Sequence, residues 1–133
     1  MIPEALLLAA LLGAPPGLVS TVYAMSGLDG VVVVAHESQF HERALRIERD
    51  RDGWAIGTSW GLFQLFDVHH EQHRDDLLWH IVVGTEFLSK CKQGRTLAQA
   101  YSVFNSGNER TSIAVGRRIE RRRDELARFI YLK

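Results

Sequence analysis

Four consecutive valines at positions 31–34 run through Ala35 and His36 into Glu37, with Ser38-Gln39-Phe40 behind it. A stretch this apolar is stable only out of water, so it must lie at the centre of whatever the chain builds. Its β-branched side chains suit a buried strand. Against that, the apolar run continues without a turn residue to Phe40, and helix propensities of ordinary residues differ by no more than about 0.7 kcal/mol, a preference that packing overrides. The expectation is a buried helix that ends near Glu37. A carboxyl at such an edge is desolvated, which disfavours its charged form and raises its pKa. A carboxylic acid in that state can donate a proton near neutral pH.

The rest of the chain reads as helices around this one. Residues 1–14 are apolar, with Pro3 at an early helical position and the 13–16 segment Gly-Ala-Pro-Pro as the stop, so they predict a first helix that packs on the core. This stretch is shorter than the roughly 20 apolar residues a membrane span needs. A secretory signal over residues 1–24 is the less favoured alternative: Ala24 is small, but no Lys or Arg precedes Arg43 and Glu4 is acidic. Residues 18–25 predict a second helical segment, broken at Ser26-Gly27 and again at Asp29-Gly30. Residues 41–49 read as a polar-faced helix, 50–53 as a turn, and 54–60 as a loop or short β-hairpin. Gly61 to Phe66 then leads into a helix. The recurrence of Leu77, Leu78, Ile81, Val82, Thr85, Leu88 and Cys91 predicts an amphipathic helix over 77–92, capped by Gln93-Gly94. Thr96 is suited to N-cap a helix over 97–104, and a charged helix follows over 112–132.

Composition narrows the function classes. At 133 residues the chain predicts one domain, 1–133, and 16 Lys+Arg against 16 Asp+Glu leave no net field to draw nucleic acid or an acidic membrane. Cys91 is the single cysteine, so no internal disulfide exists, and its helical register with Phe87 and Leu88 assigns it to the core. His69 and His73 have the i,i+4 spacing that can share a metal, but His70-Glu71-Gln72-His73 is one residue short of the zinc-protease pattern and no further ligand set accompanies it. The expectation is no metal and no cofactor. Arg117, Arg118, Arg121, Arg122 and Arg123 interleave with Glu120, Asp124 and Glu125, which predicts an exposed, ion-paired helix face, with contact to an anionic polymer or another protein as the alternative.

Three tetrapeptides occur in order: Glu37-Ser38-Gln39-Phe40, Gly61-Leu62-Phe63-Gln64 and Phe104-Asn105-Ser106-Gly107, with Gly84 and Leu88 between the last two. Together, over residues 31–107, they resemble the lytic transglycosylases and goose-type lysozymes, which cleave peptidoglycan. That family carries Glu-Ser-x-Phe, Gly-Leu-Met-Gln, Gly-x-x-x-Leu and Tyr-Asn-Ala-Gly. The resemblance implies a mainly α, single lysozyme-like domain with a small loop or short β-hairpin beside the cleft. It implies that Glu37 acts alone as general acid and then base on the bond between N-acetylmuramic acid and N-acetylglucosamine, leaving 1,6-anhydro ends. Ser38, Ser59, Gln64, Tyr101, Phe104 and Asn105 would form the glycan-binding set. Phe104 stands where the family has tyrosine, so the hydroxyl on Glu37 would come from Tyr101, or Glu37 would rely on burial alone. A goose-type hydrolase, which adds aspartates that place a water, is the runner-up; Asp50, Asp52 and Asp67 are the candidates for that role, and Ile56 stands at one such aspartate position. A catalytically silent wall-binding or assembly module is the rival from another class, favoured by Phe104. In each case the partner is peptidoglycan and the place of action the bacterial cell wall, reached by export or by phage delivery.

Overall fold

In the computed structural model, which describes residues 3–67 and 76–131, the valine run lies inside a helix. The described residues form α1 (Pro3–Leu12), α2 (Pro16–Ser38), β1 (Leu45–Arg49), β2 (Ala55–Trp60), β3 (Leu65–Phe66), α3 (Leu77–Lys92), α4 (Leu97–Ser106) and α5 (Ile113–Tyr131). The fold is mainly α with one small antiparallel sheet, ordered β1-β2-β3. Helix α2 is its axis, packed against α1, α3 and α5. Consecutive residues of a helix point about 100° apart, so a helix is buried at four successive positions only when neighbours surround it. That is the situation of Val31, Val32, Val33 and Val34, all buried. Each such burial contributes about 1.5–3 kcal/mol, which outweighs the weak strand preference of valine. By length and apolarity α2 also meets the criteria for a membrane span; in the fold its valine run lies in the hydrophobic core.

The first helix forms as expected and buries Ala5, Leu8 and Ala9. Of the two breaks expected in α2, only one occurs. Gly27 has φ +66° and ψ −168°, a conformation open to glycine alone, and it kinks the helix rather than ending it. At Asp29-Gly30 the helix continues, because Asp29 is held by Lys92 Nζ at 2.6 Å and Arg123 Nη1 at 2.8 Å. Burial alone would push the Asp29 carboxyl up, but the hydrogen bonds and charges of these two cations hold it below its ordinary value. The result is a tie between α2, α3 and α5 that a sequence cannot display.

Residues 41–49 are not a helix. Gln39 and Phe40 both take positive φ, at +52° and +60°, which turns the chain out of α2. Leu45-Arg46-Ile47-Glu48 then alternates apolar and charged with the period of a strand. It pairs with β2 through Leu45↔Trp60, Arg46↔Ser59, Ile47↔Thr58 and Glu48↔Gly57, and the register shifts before Arg49, leaving Ile56 without a partner. The expected turn at 50–53 is present, with Asp50 Oδ1 accepting from the backbone N–H of Asp52 and Trp54, 2.9 Å each. The expected hairpin at 54–60 is the middle strand, and the segment from Gly61 ends in β3, pairing Ser59↔Phe66 and Trp60↔Leu65; the helix expected to follow it falls outside the described residues.

The C-terminal half follows the periodicity closely. Helix α3 covers the expected 77–92, with Asp76 accepting from Trp79 N at 2.9 Å as its N-cap. Helix α4 opens with a reciprocal box in which Thr96 and Gln99 bond each other's backbone, and it runs two residues past Phe104 to Ser106. Cys91 is buried, which pushes its thiol up, consistent with packing rather than reactivity. Along α5, Arg123 pairs with Asp29, Glu120 and Asp124, and Arg122 with Glu125, so these two members of the Arg cluster are ion-paired. The His69, His70 and His73 segment lies outside the described residues.

Candidate active site

Glu37 occupies the last turn of α2, and the left-handed pair Gln39-Phe40 follows at once. Two successive non-glycine residues in this region cost on the order of 1–3 kcal/mol each. Phe40, 2% exposed, is locked into the core and holds the strained exit in place. The chain therefore leaves α2 sharply, and Arg46 of β1 comes within 3.9 Å of the Glu37 carboxyl.

A groove of about 400 Å³ opens there, within the range of small-ligand sites. Glu37 lies in it, with only 3% of its side chain exposed. Arg46, Glu48 and Ser59 line the sheet side. Phe104, Asn105, Ser106 and Gly107 line the α4 side, and Phe87 of α3 and Gln64 and Leu65 of the intervening loop complete it. The mix of apolar rings, amide groups and charges suits a ligand with polar edges and apolar faces.

Tyr101, buried at the foot of α4, donates its hydroxyl to Glu37 Oε1 at 2.7 Å. Burial, together with the charge of and hydrogen bond to Glu37, holds its phenol well above the ordinary value, so it remains a donor. Of the two expectations for the departure at Phe104, supply of the hydroxyl by Tyr101 is the one the geometry meets. Phe104 instead packs on Phe87, with ring centroids 5.0 Å apart, and on Phe63 at 6.3 Å. For Glu37 itself, burial raises the carboxyl above its ordinary value; the Tyr101 hydrogen bond and the Arg46 charge act in the opposite direction, and the charge of Glu48 adds to the rise.

Gln64 braces the loop that carries it. Its amide nitrogen donates to Ala44 O at 3.0 Å and Gly61 O at 2.9 Å, bracing a loop in which Gln64 has φ +52°. Gln64 also lines the groove, and its side-chain carbonyl oxygen is an acceptor distinct from the engaged amide nitrogen. Asn105 complements it: Oδ1 accepts from Ser112 Oγ at 2.6 Å, which leaves the amide hydrogens as donors. Ser59 lines the groove but gives its hydroxyl to Glu48 Oε1 at 2.8 Å.

One expected contact is not made. Ser38 is buried outside the groove lining, and its hydroxyl donates to Val34 O at 3.2 Å, the usual resting place of a serine inside a helix. The aspartates considered as second carboxylates also lie elsewhere. Asp50 closes the β1–β2 turn, Asp67 Oδ1 accepts from Thr58 N at 3.0 Å, and none of Asp50, Asp52 and Asp67 lines the groove. The second carboxylate of the groove is Glu48. A helical reading of residues 41–49 hides it, and Arg46 with it; the period-two alternation of Leu45-Arg46-Ile47-Glu48 is the signal that identifies both as neighbours on one strand face.

Among the described residues no group of three His, Cys, Asp or Glu side chains is arranged to hold a metal ion. No family model matches this chain, and no curated protein or solved structure matches it either.

Proposed function

We propose that this protein cleaves the glycan strand of peptidoglycan as a lytic transglycosylase, with Glu37 as its general acid and base. The observation that carries this reading is a carboxyl, 3% exposed, that burial drives toward its protonated form, held by the Tyr101 hydroxyl in a groove that also presents Gln64 and Asn105. Glycosidic cleavage requires a proton on the departing oxygen as the C1–O bond breaks, and an acid whose burial favours its protonated form is suited to supply it. The resulting carboxylate then takes the proton of the muramoyl C6 hydroxyl as that oxygen closes on C1, which restores the acid and gives the 1,6-anhydro end. Tyr101 donates to Glu37 throughout, steadying it while it is charged. The carbonyl of Gln64 and the amide of Asn105 suit the N–H and C=O of an N-acetyl sugar.

Hydrolysis is the second reading, favoured by Glu48. A groove with two carboxylates can use one as acid and the other to place or activate a water. Glu48 already accepts from Arg46 Nε and Ser59 Oγ, 2.8 Å each and both on Oε1, so that oxygen is occupied, which favours the transglycosylase outcome. Clearing of purified sacculi tests the activity: Glu37→Gln is expected to lower it by about 10²–10⁴-fold with the fold intact. Retained clearing would refute the assignment of Glu37, and no clearing by the wild type would favour a silent wall-binding module. Mass spectrometry of the digest separates anhydro from reducing ends.

A further inference from the structure

Arg46 stands between two carboxylates and serves them unequally. Its Nε lies 2.8 Å from Glu48 Oε1, a full charge-assisted hydrogen bond, whereas its Nη2 lies 3.9 Å from Glu37 Oε2, too long for one. Glu48 is anchored in turn by Ser59 Oγ on the same oxygen at 2.8 Å. The Arg46 side chain is half exposed, at 52%, and already reaches both carboxylates from one position. The bond that holds it there is the one to Glu48.

We propose that Glu48 is a positioning residue: by keeping the Arg46 guanidinium on its own carboxylate, it prevents that cation from closing on Glu37 and so leaves the acid its proton. The inference rests on the reading of Glu37 as general acid. The other groups about Glu37 are accounted for. Tyr101 of α4 donates one hydrogen bond, His36 of α2 sets its ring edge-on to Tyr101 at 5.6 Å, and Arg118 of α5 acts electrostatically on His36 and Tyr101. None of these donates to the Glu37 oxygen that faces Arg46. A direct Arg–carboxylate pair favours the charged form of the acid, so a groove in which Arg46 had closed on Glu37 would hold a carboxylate with no proton to give. The effect of Glu48 runs in one direction by two routes, since its own negative charge also opposes ionisation of Glu37.

The test is a ¹³C NMR titration of the Glu37 carboxyl, its resonance identified by its loss in Glu37→Gln, run alongside the pH profile of sacculus clearing. In Glu48→Gln the Glu37 midpoint, and with it the falling alkaline limb of clearing, is expected to move down by about one pH unit, which is about a tenfold loss on that limb. In Arg46→Gln both are expected to move up. A purely structural role for Glu48 would lower activity at every pH without moving the limb. An unmoved or raised midpoint in Glu48→Gln, or shifts of the same sign in the two variants, overturns the proposal. Wild-type protein that fails to clear sacculi refutes the glycosidase reading instead, and the titration still decides the role of Glu48: on an Arg46→Gln background, Glu48→Gln is expected to move the Glu37 midpoint by less than it does alone, and an equal shift, which the charge of Glu48 produces without Arg46, overturns the proposal.

Discussion

Replacing Gly84 with alanine tests whether the groove is built on a helix–loop contact that admits no side chain. A Cβ at position 84 would lie 2.3 Å from Cδ2, 2.4 Å from Cγ and 2.8 Å from Cβ of Phe63. Carbon atoms in contact rest at about 3.5–4.0 Å, so the ring would have to retreat by more than an ångström. It has nowhere to go. Phe63 is wholly buried, packs on Phe104, and precedes Gln64, whose amide clamps the loop to Ala44 and Gly61. Overpacking of this kind costs about 1–3 kcal/mol, and the upper half of that range applies where neighbours are pinned. Alanine gains about 1 kcal/mol over glycine inside a helix, so the net expectation for Gly84→Ala is a loss of about 1–2 kcal/mol in urea denaturation. The control is Gly17→Ala in the first turn of α2, where a Cβ would meet nothing within 4 Å and only the propensity gain remains. It is expected to be neutral to stabilising by up to about 1 kcal/mol. A Gly84→Ala protein as stable as the wild type would refute the claim that Phe63 and α3 fix each other's position, and with it the account of how Gln64 reaches the groove.

Other substitutions check the electrostatics. Tyr101→Phe removes a charge-assisted hydrogen bond worth about 1.5–3 kcal/mol and is expected to lower clearing of sacculi by about 10–100-fold while shifting its alkaline limb upward, because Glu37 loses a group that favours its charged form. Glu37→Gln is expected to raise thermal stability at pH 7: the folded-state pKa of Glu37 lies above its unfolded value, so the native state loses stability as pH rises through that interval. Below the ordinary carboxylate range the acid is protonated in both states, and the advantage of the glutamine should vanish there; a difference that persists at low pH would count against a desolvated acid. Asp29→Asn is expected to cost about 2 kcal/mol at pH 7 by breaking hydrogen bonds to two cations. Because the Asp29 carboxyl is depressed in the fold, the stability it contributes is present above the ordinary carboxylate range and lost as pH falls through the folded value. The gap between variant and wild type should therefore close in acid, as followed by circular dichroism.

Local rules carried well wherever one signal acted alone. Helix α3 appears over the 77–92 span that its apolar recurrence predicts, and Thr96 caps α4 as a threonine before a helical run should. In the 41–49 segment two signals compete, since the charged content suits an exposed helix while the alternation suits a strand, and the strand forms. Its apolar residues, Leu45 and Ile47, are 57% and 50% exposed, so the strand turns its charged face toward the groove and its apolar face toward solvent, the reverse of the usual rule for a half-buried strand.

What the sequence determined by itself is the central burial of the valine helix and the environment of the acid at its end, since four adjacent valines can be satisfied only inside the protein and Glu37 is covalently tied to them. It also contained the residues that meet in the groove, Ser59, Gln64 and Asn105 among them, though not their distances. Only the tertiary structure decided which hydroxyl reaches Glu37, that Ser38 turns back onto its own helix, and that Glu48 rather than an aspartate stands across from the acid. Those outcomes depend on contacts between residues far apart in the chain, 64 positions in the case of Tyr101 and Glu37. Such contacts follow from how the helices pack and how the sheet registers, and neither leaves a periodic trace in the order of amino acids.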